Sequence, residues 1–206
     1  MKIIDIHTHN ISSTNSLISV TPEQTELLPD LFYSVGLHPW ESKTISSQHL
    51  EKLQDISAQP NVYAIGECGL DKLKGAPIEA QKEIFEFHIR LSEKLCKPLI
   101  IHQVKSIDEI IFFKKKYSPV QRWLIHGFRG NPITASQLLK FGIDVSFGAN
   151  FSLESLQIIP MKSLFLESDA SSDFPLLLSK VANLLDKSEN EISNILSENI
   201  GRFLGI

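Results

Sequence analysis

Six side chains that can ligate a metal ion stand at or just past the ends of short apolar runs in this chain. They are His7, His9, Glu67, His102, His126 and Asp169. A run of four or five residues rich in Ile, Leu and Val is typical of a strand that is buried on both faces. A polar residue at the carboxyl end of such a strand is where an α/β barrel builds its active site. The placement therefore predicts that five strand ends contribute to one site.

Strand patterns and helix patterns alternate along the chain. Eight strand candidates lie near residues 2–6, 16–20, 31–36, 62–66, 98–101, 123–125, 143–147 and 163–168. Helical patterns cover 48–59, 77–95, 106–117, the segment from Asn131-Pro132 to Gly142, 174–186, and 189–198 with the capping box Ser188-x-x-Glu191. Eight alternating units predict a parallel sheet closed into a TIM-type (β/α)8 barrel. We expect this barrel to be somewhat trimmed between residues 10 and 30, where no helix pattern occurs.

Length and composition are compatible with one barrel. The chain has 206 residues, of which 42% are hydrophobic, so residues 1–206 are expected to form a single domain with a sizeable core. The net charge of −4 argues against a dedicated nucleic-acid packaging role. No apolar stretch reaches the roughly 18 residues that a membrane helix needs. We therefore expect a cytoplasmic enzyme without a membrane partner, monomeric or weakly oligomeric.

The candidate ligands are chemically compatible with one another. Side chains alternate along a strand, so His7 and His9 share a face, with Asp5 one step deeper. Imidazoles and carboxylates are the usual ligands of divalent metals, and Glu67 from another strand could bridge to a second ion. Two ions about 3.5–4 Å apart are suited to displacement at phosphorus or at an acyl carbon. The set predicts two divalent metal ions, Zn, Mn or Mg. His49 and His88 lie inside helix patterns and are expected to be structural.

Seven segments resemble, in order, the motifs of the TatD family of metal-dependent hydrolases, the TatD-like deoxyribonucleases of the amidohydrolase-like superfamily. The segments are Asp5-Ile6-His7-Thr8-His9, Gly36-Leu37-His38-Pro39, Ile65-Gly66-Glu67-Cys68-Gly69-Leu70-Asp71, Gln81 with Phe85 and His88, Lys97 to His102, His126-Gly127-Phe128-Arg129-Gly130, and Leu166-Glu167-Ser168-Asp169-Ala170. Asn199-x-x-Arg202 resembles the closing motif of the family. The resemblance spans the whole chain.

The resemblance implies a role for each ligand candidate. His7, His9 and Asp169 would bind one ion, and Glu67 would bridge. His102 and His126 would bind the second ion or the scissile group, and His38 would lie near the substrate. DNA or another phosphodiester is the implied substrate.

The residues themselves indicate which groups act in catalysis and substrate binding. Asp169 is the expected acceptor of the proton of the attacking water, because a carboxylate beside a metal stays ionised. Asp169 and Glu67 are therefore the predicted catalytic pair. Arg129 and Lys105 are the cations closest in sequence to the ligand histidines, which makes them candidate substrate contacts.

Departures from the family pattern leave alternatives open. Val104 stands where the family commonly has Arg, Lys72 replaces an aromatic residue, and Ser171 replaces a proline. The chain also looks shorter than usual between His9 and Gly36 and after Asp169. One alternative is a metal-dependent hydrolase of a small ester, amide or phosphate that uses the same site. Another is a metal-binding protein that has lost catalysis.

Overall fold

Eight strands and seven α-helices lie in residues 2–24, 26–170 and 173–206, the parts of the chain that the computed structural model describes. The strands are β1 (Asp5–Thr8), β2 (Ser16–Val20), β3 (Phe32–Val35), β4 (Val62–Asp71), β5 (Leu99–Val104), β6 (Trp123–Ile125), β7 (Ile143–Phe147) and β8 (Phe165–Leu166). The helices are α1 (Ser47–Ser57), α2 (Ile78–Leu95), α3 (Ile107–Tyr117), α4 (Pro132–Lys140), α5 (Leu153–Ile158), α6 (Phe174–Leu184) and α7 (Glu189–Leu204). Short 3₁₀ helices cover Pro39–Glu41 and Met161–Ser163. Ser171 lies outside the described residues.

The strands follow one another in chain order across an eight-stranded sheet. The pairs β1–β2, β3–β4, β4–β5, β5–β6 and β7–β8 are all parallel. A parallel bridge between Thr8 and Asp169 also joins β1 to the segment that follows β8. The predicted TIM-type (β/α)8 fold class is thereby confirmed. As expected for the trimmed region, the described residues between β1 and β3 contain no helix.

The helix boundaries follow from local capping. Ser188 is the N-cap of α7, and its side chain and that of Glu191 form the predicted capping box. The helix continues to Leu204, with Gly205 as its C-cap at φ 75°, so the prediction that it stops at residue 198 is wrong. Asn131 accepts from the Thr134 N–H and opens α4, as the sequence indicates. Pro77 is the N-cap of α2 rather than a residue of its first turn.

Strand β4 is longer than the sequence indicates, and this changes where two candidate ligands lie. Glu67 falls inside β4, and His102 falls inside β5, whereas both were predicted just past strand ends. A Cβ atom on Gly66 would lie 2.3 Å from the Ile100 carbonyl oxygen, and one on Gly69 would lie 2.1 Å from that of His102. The φ angles of +140° and +141° at these glycines also disfavour any side chain. The two glycines therefore let β4 continue alongside β5.

The residues group by Cα proximity into two compact units. Unit 1 joins the segment up to Ile18 with His126–Ile206, and unit 2 is the continuous segment Ser19–Ile125. In unit 2 the rings of Phe113 and Trp123 pack edge-on against Phe85. In unit 1 the ring of Phe165 packs in the same way on Phe203. The single domain over residues 1–206 stays a prediction.

The helices of the described residues also bear on the expected absence of a membrane partner. None of them is both long enough and apolar enough to cross a membrane.

Candidate functional site

In unit 1, three of the predicted ligands lie together as a first cluster, made of His7, His9 and Asp169. The Asp169 Oδ1 atom is 3.8 Å from His7 Nε2 and 3.5 Å from His9 Nε2. The two imidazole rings meet edge-on with their centroids 5.1 Å apart. His7 is fully buried, whereas about half of the His9 side chain is exposed. The cluster therefore reaches from the interior to the surface.

Backbone hydrogen bonds hold this first cluster in place. The Asp169 N–H donates to the His7 carbonyl at 2.9 Å, and the His9 N–H donates to the Asp169 carbonyl at 3.1 Å. Asp169 has a left-handed φ of 52°, a conformation that Asp adopts more readily than most residues. Pairing of β1 with the segment after β8 thus brings both histidines close to a carboxylate that lies about 160 residues later in the sequence.

Asp5 supports the first cluster from beneath. Its Oδ1 atom accepts from the His7 and Ser168 N–H groups, each at 3.2 Å, and its Oδ2 accepts from the Ser168 hydroxyl at 2.7 Å. Burial raises the pKa of Asp5 to about 7, although these hydrogen bonds oppose the effect. The carboxylate therefore ties the strand carrying His7 to the segment carrying Asp169.

His126 and Glu167 adjoin the first cluster within unit 1. The His126 ring lies 4.3 Å from the His7 ring, and its Nδ1 atom is 3.4 Å from Glu167 Oε1. Burial acts to raise the pKa of Glu167, but His126, His7 and the hydroxyl of Ser146 outweigh it and hold this pKa below its ordinary value. A buried carboxylate in its charged form beside two imidazoles provides the electrostatic environment of a cation site.

A cavity of about 200 Å³ opens beside these residues. Its lining includes Arg129, Glu167 and Asp169. The exposed Arg129 side chain thus shares a cavity with Asp169, and its role as a substrate contact stays a prediction.

In unit 2, three residues form a second cluster: His38, Glu67 and His102. Glu67 Oε1 lies 3.0 Å from His38 Nε2 and 3.0 Å from His102 Nδ1. The two rings meet at 67° with centroids 4.4 Å apart. Glu67 is buried, and the two imidazoles are mostly so. Strands β4 and β5 supply Glu67 and His102, while His38 comes from the loop after β3.

Asp71 and Trp40 extend the second cluster, and sequence reasoning gave neither of them a role. Asp71 Oδ2 lies 3.2 Å from His102 Nε2 and accepts from the Trp40 indole N–H at 2.6 Å. Burial acts to raise the pKa of Asp71, but the hydrogen bonds from Trp40, Leu73 and His102 outweigh it and lower this pKa. The position of Asp71 at the end of the Gly-Glu-x-Gly-Leu-Asp motif could have indicated it, whereas nothing in the sequence singles out Trp40.

Two buried polar side chains of α2 fix the backbone around the second cluster. His88 Nε2 accepts from the Leu37 N–H at 3.0 Å, and His88 Nδ1 donates to the Ile84 carbonyl at 2.7 Å. Gln81 bonds both the N–H and the carbonyl of Asp71, each at 2.8 Å. Helix α2 therefore positions the segments that carry His38 and Asp71. His88 is structural, as expected, and so is His49, which caps the exposed start of α1 through Ser46.

Lys105 is the other predicted substrate contact, and this role also stays a prediction. It is exposed, follows β5 and has a left-handed φ of 52°. Its backbone therefore departs from the extended course of the strand.

The donor atoms of both clusters fit a divalent metal. His7, His9 and Asp169 each offer one nitrogen or oxygen, and these atoms lie within 4.8 Å of one another. The same holds for His38, Glu67 and His102, and for His126, Glu167 and Asp169. Imidazole nitrogens with carboxylate oxygens suit zinc, manganese and iron. That the predicted ligands together form one site stays a prediction.

Comparison with known proteins identifies relatives along the whole chain. The model of the TatD related DNase family matches residues 3–205. The uncharacterized metal-dependent hydrolase YabD of Bacillus subtilis is 25% identical over an alignment 207 positions long. The alignment covers 89% of this chain and 81% of that protein. A protein named deoxyribonuclease Tat-D, from Schizosaccharomyces pombe, is 27% identical over 156 residues, which cover 66% of this chain and 50% of that protein.

The fold is also similar to that of a solved structure. The crystal structure of YjjV, a TatD homologue from Escherichia coli, matches with a TM-score of 0.85 and 20% sequence identity. The match covers 99% of this chain and 98% of the YjjV chain.

Proposed function

This chain belongs to the TatD family of metal-dependent hydrolases, and we propose that it cleaves phosphodiester bonds in nucleic acid, as a deoxyribonuclease. The observation that carries the proposal is the pair of imidazole–carboxylate clusters, above all Glu67 Oε1 at 3.0 Å from two histidines. A buried carboxylate flanked by imidazole nitrogens is a donor set for divalent cations. A cytoplasmic location stays a prediction.

We assign one divalent ion to His7, His9 and Asp169, whose donor atoms converge in unit 1. Glu67 and His102 offer donors for a second ion in unit 2, where His38 shares the Glu67 carboxylate. The bridging role of Glu67 and the part that His126 plays toward the second ion or the scissile group stay predictions. Zinc, manganese and magnesium are the candidates.

The bound ions would supply an activated water and would polarise the oxygen of the scissile group. The side chains of the chain do the remaining work. Asp169 accepts the proton of the attacking water, because its carboxylate is partly exposed and lies between His7 and His9. Asp5 holds His7 and the Asp169 segment in register, and Glu167 holds His126.

The family and the charges near the site support a nucleic-acid substrate. One relative is named a deoxyribonuclease, and Arg129 lines the cavity beside Asp169. With a net charge of −4, the protein neutralises few phosphates, so we expect weak, sequence-independent binding of single strands or frayed ends. Val104, at the position where an arginine was expected, favours the alternative of a small ester, amide or phosphate substrate.

Turnover with added metals tests the proposal. The wild-type protein should hydrolyse bis-p-nitrophenyl phosphate and a single-stranded oligonucleotide when magnesium, manganese or zinc is added. Failure with every metal on DNA and RNA, but turnover of esters or lactones, would favour the small-substrate hydrolase. Failure on all of these substrates would favour a metal-binding protein without catalysis.

The Asp169→Asn variant tests the assignment of the proton acceptor. The amide can still offer an oxygen to a metal but is a poor base, so kcat should fall at least about 100-fold while bound metal is retained. An unchanged kcat would move the base elsewhere, with Glu67 or His126 next to be tested.

A further inference from the structure

Trp40 presents a large aromatic surface beside the second cluster. It follows His38 and Pro39 directly, in the 3₁₀ helix Pro39–Glu41, and 48% of its surface is exposed. The other tryptophan of the chain, Trp123, is fully buried. About half of the indole is left outside the core, so at the edge of a candidate active site it offers an apolar surface to a ligand.

The indole of Trp40 is held rigidly against the second cluster. Its N–H donates to Asp71 at 2.6 Å, and Asp71 in turn contacts His102. The ring meets the His38 ring at 78° and the His102 ring at 79°, with centroids 4.7 and 5.7 Å away. An aromatic group fixed in this way loses little conformational entropy when a planar ligand stacks on it.

A cation accompanies the indole. The Lys74 ammonium lies 3.8 Å from the centroid of the Trp40 ring. The backbone N–H of Lys74 donates to the Asp71 carboxylate at 3.1 Å. Among the residues that the structure describes, no carboxylate lies within ion-pair distance of this ammonium, whereas the nearby Lys72 is paired with Glu109 at 2.7 Å. Lys74 therefore has its charge available for an anionic ligand.

We infer that Trp40 and Lys74 form a subsite that stacks one nucleobase and neutralises the phosphate next to it. The inference rests on the proposed function and specifies how the substrate is held. Bases stack on aromatic side chains whatever their sequence, and a lysine adds a point charge for the phosphate. The contact of the Trp40 ring with His38 and His102 places the stacked nucleotide beside the second cluster. The subsite also provides an aromatic group near Asp71. The residue that directly follows Asp71 is not aromatic but Lys72.

Binding to the intact protein tests the subsite independently of catalysis. Calorimetry measures the affinity for a short oligothymidylate with uncleavable phosphorothioate linkages, and for an abasic strand with the same number of phosphates. The oligothymidylate should bind more tightly than the abasic strand. It should also quench the tryptophan emission, which reports Trp40 because Trp123 is buried. Equal affinity for both strands, or no quenching, would overturn the inference.

Two variants and one control separate stacking from a structural role. Trp40→Leu should weaken binding of the oligothymidylate about 5- to 100-fold, the scale of one lost base-stacking contact. Trp40→Phe keeps a flat ring but cannot donate to Asp71, so it should retain most of the affinity. If Phe and Leu lose affinity equally, Trp40 acts only by holding Asp71 and the inference fails. Phe112→Ala, at another exposed aromatic residue, which lies on α3, is the matched control and should bind normally.

Lys74→Gln distinguishes the phosphate contact from the stacking contact. It should weaken both the oligothymidylate and the abasic strand, with a shallower salt dependence than the wild-type protein. An unchanged salt dependence would remove Lys74 from the subsite. Quenching by the oligothymidylate without cleavage of any oligonucleotide would refute the proposed function and leave the subsite standing. If the protein cleaves oligonucleotides and Trp40→Leu has an unchanged KM, the subsite would be refuted and the proposed function would stand.

Discussion

His88 should make the stability of this protein depend on pH in a defined direction. Burial lowers the pKa of His88 from 6.5 to about 4, despite its hydrogen bond to the Ile84 carbonyl. Its Nε2 atom accepts from the Leu37 N–H, and this contact requires the neutral imidazole. The unfolded chain therefore takes up a proton near pH 6.5, while the folded protein resists it until about pH 4. The contribution is complete above pH 6.5 and is lost as the pH falls.

The magnitude follows from the gap between the two pKa values. Each pH unit below 6.5 removes about 1.4 kcal/mol from the free energy of unfolding, so the loss from His88 alone is about 2 kcal/mol at pH 5. Asp5 acts in the opposite direction, because its raised pKa of about 7 makes the folded state bind the proton first. A measurement on the wild-type protein alone would therefore mix the two effects.

The assay is a comparison of urea unfolding at pH 7.5 and pH 5, followed by circular dichroism. His88→Gln can keep an acceptor for Leu37 and a donor for Ile84 but does not titrate. Between the two pH values it should lose about 2 kcal/mol less than the wild-type protein, since Asp5 contributes equally to both. His49→Gln removes an exposed histidine of α1 and should behave like the wild-type protein. Parallel losses in the wild-type protein and His88→Gln would show that His88 is not held neutral.

Three further predictions concern metal, stability and salt. Replacing His7 and His9 together by Ala should remove tightly bound metal in elemental analysis, whereas His49→Ala should not; wild-type metal content in the double variant would contradict the assignment. Gln81→Leu leaves the buried N–H and carbonyl of Asp71 without their partner, so urea unfolding should show a loss of about 2–5 kcal/mol, and a loss below about 1 kcal/mol would contradict this account. Binding of single-stranded DNA to the Asp169→Asn variant should depend weakly on salt, and a slope indicating about six or more neutralised phosphates would refute the picture of few contacts.

The sequence predicts best those strands that have a polar residue or a glycine directly before and after them. The bounds of β2, β6 and β7 agree with the predicted 16–20, 123–125 and 143–147. The end of β4 was not predictable in the same way, because glycines such as Gly66 and Gly69 in a sequence usually indicate a turn or a bulge. They are tolerated in the strand because the Ile100 and His102 carbonyls approach so closely, a tertiary feature. Helix α5, of six residues, is too short to produce a periodic pattern.

The candidate site was predictable where residue type alone indicates chemistry. His7, His9, His102 and Asp169 fall into this class, and the structure places His102 in the second cluster and the other three in the first. Trp40 and the role of Asp71 were not predictable, since both depend on hydrogen bonds between segments about 30 residues apart. Likewise Ser168, which donates to Asp5, and the Leu37 N–H, which donates to His88, lie far from their partners in the sequence. The sequence shows the type of each residue directly, but its hydrogen-bond partners depend on how distant segments pack together.

The composition of unit 1 has a consequence for synthesis on the ribosome. Its first segment, up to Ile18, emerges before the whole of Ser19–Ile125 has been made, and its other segment begins only at His126. Strand β1 can pair with β2 early, but its other edge pairs with the segment after β8 and stays unpaired until that segment has emerged. His38, Glu67 and His102 can meet as soon as residue 102 is made, whereas His7 and His9 wait for Asp169. A chain stalled between these points would carry the second cluster without the first, and the unpaired edge of β1 would be a target for chaperones.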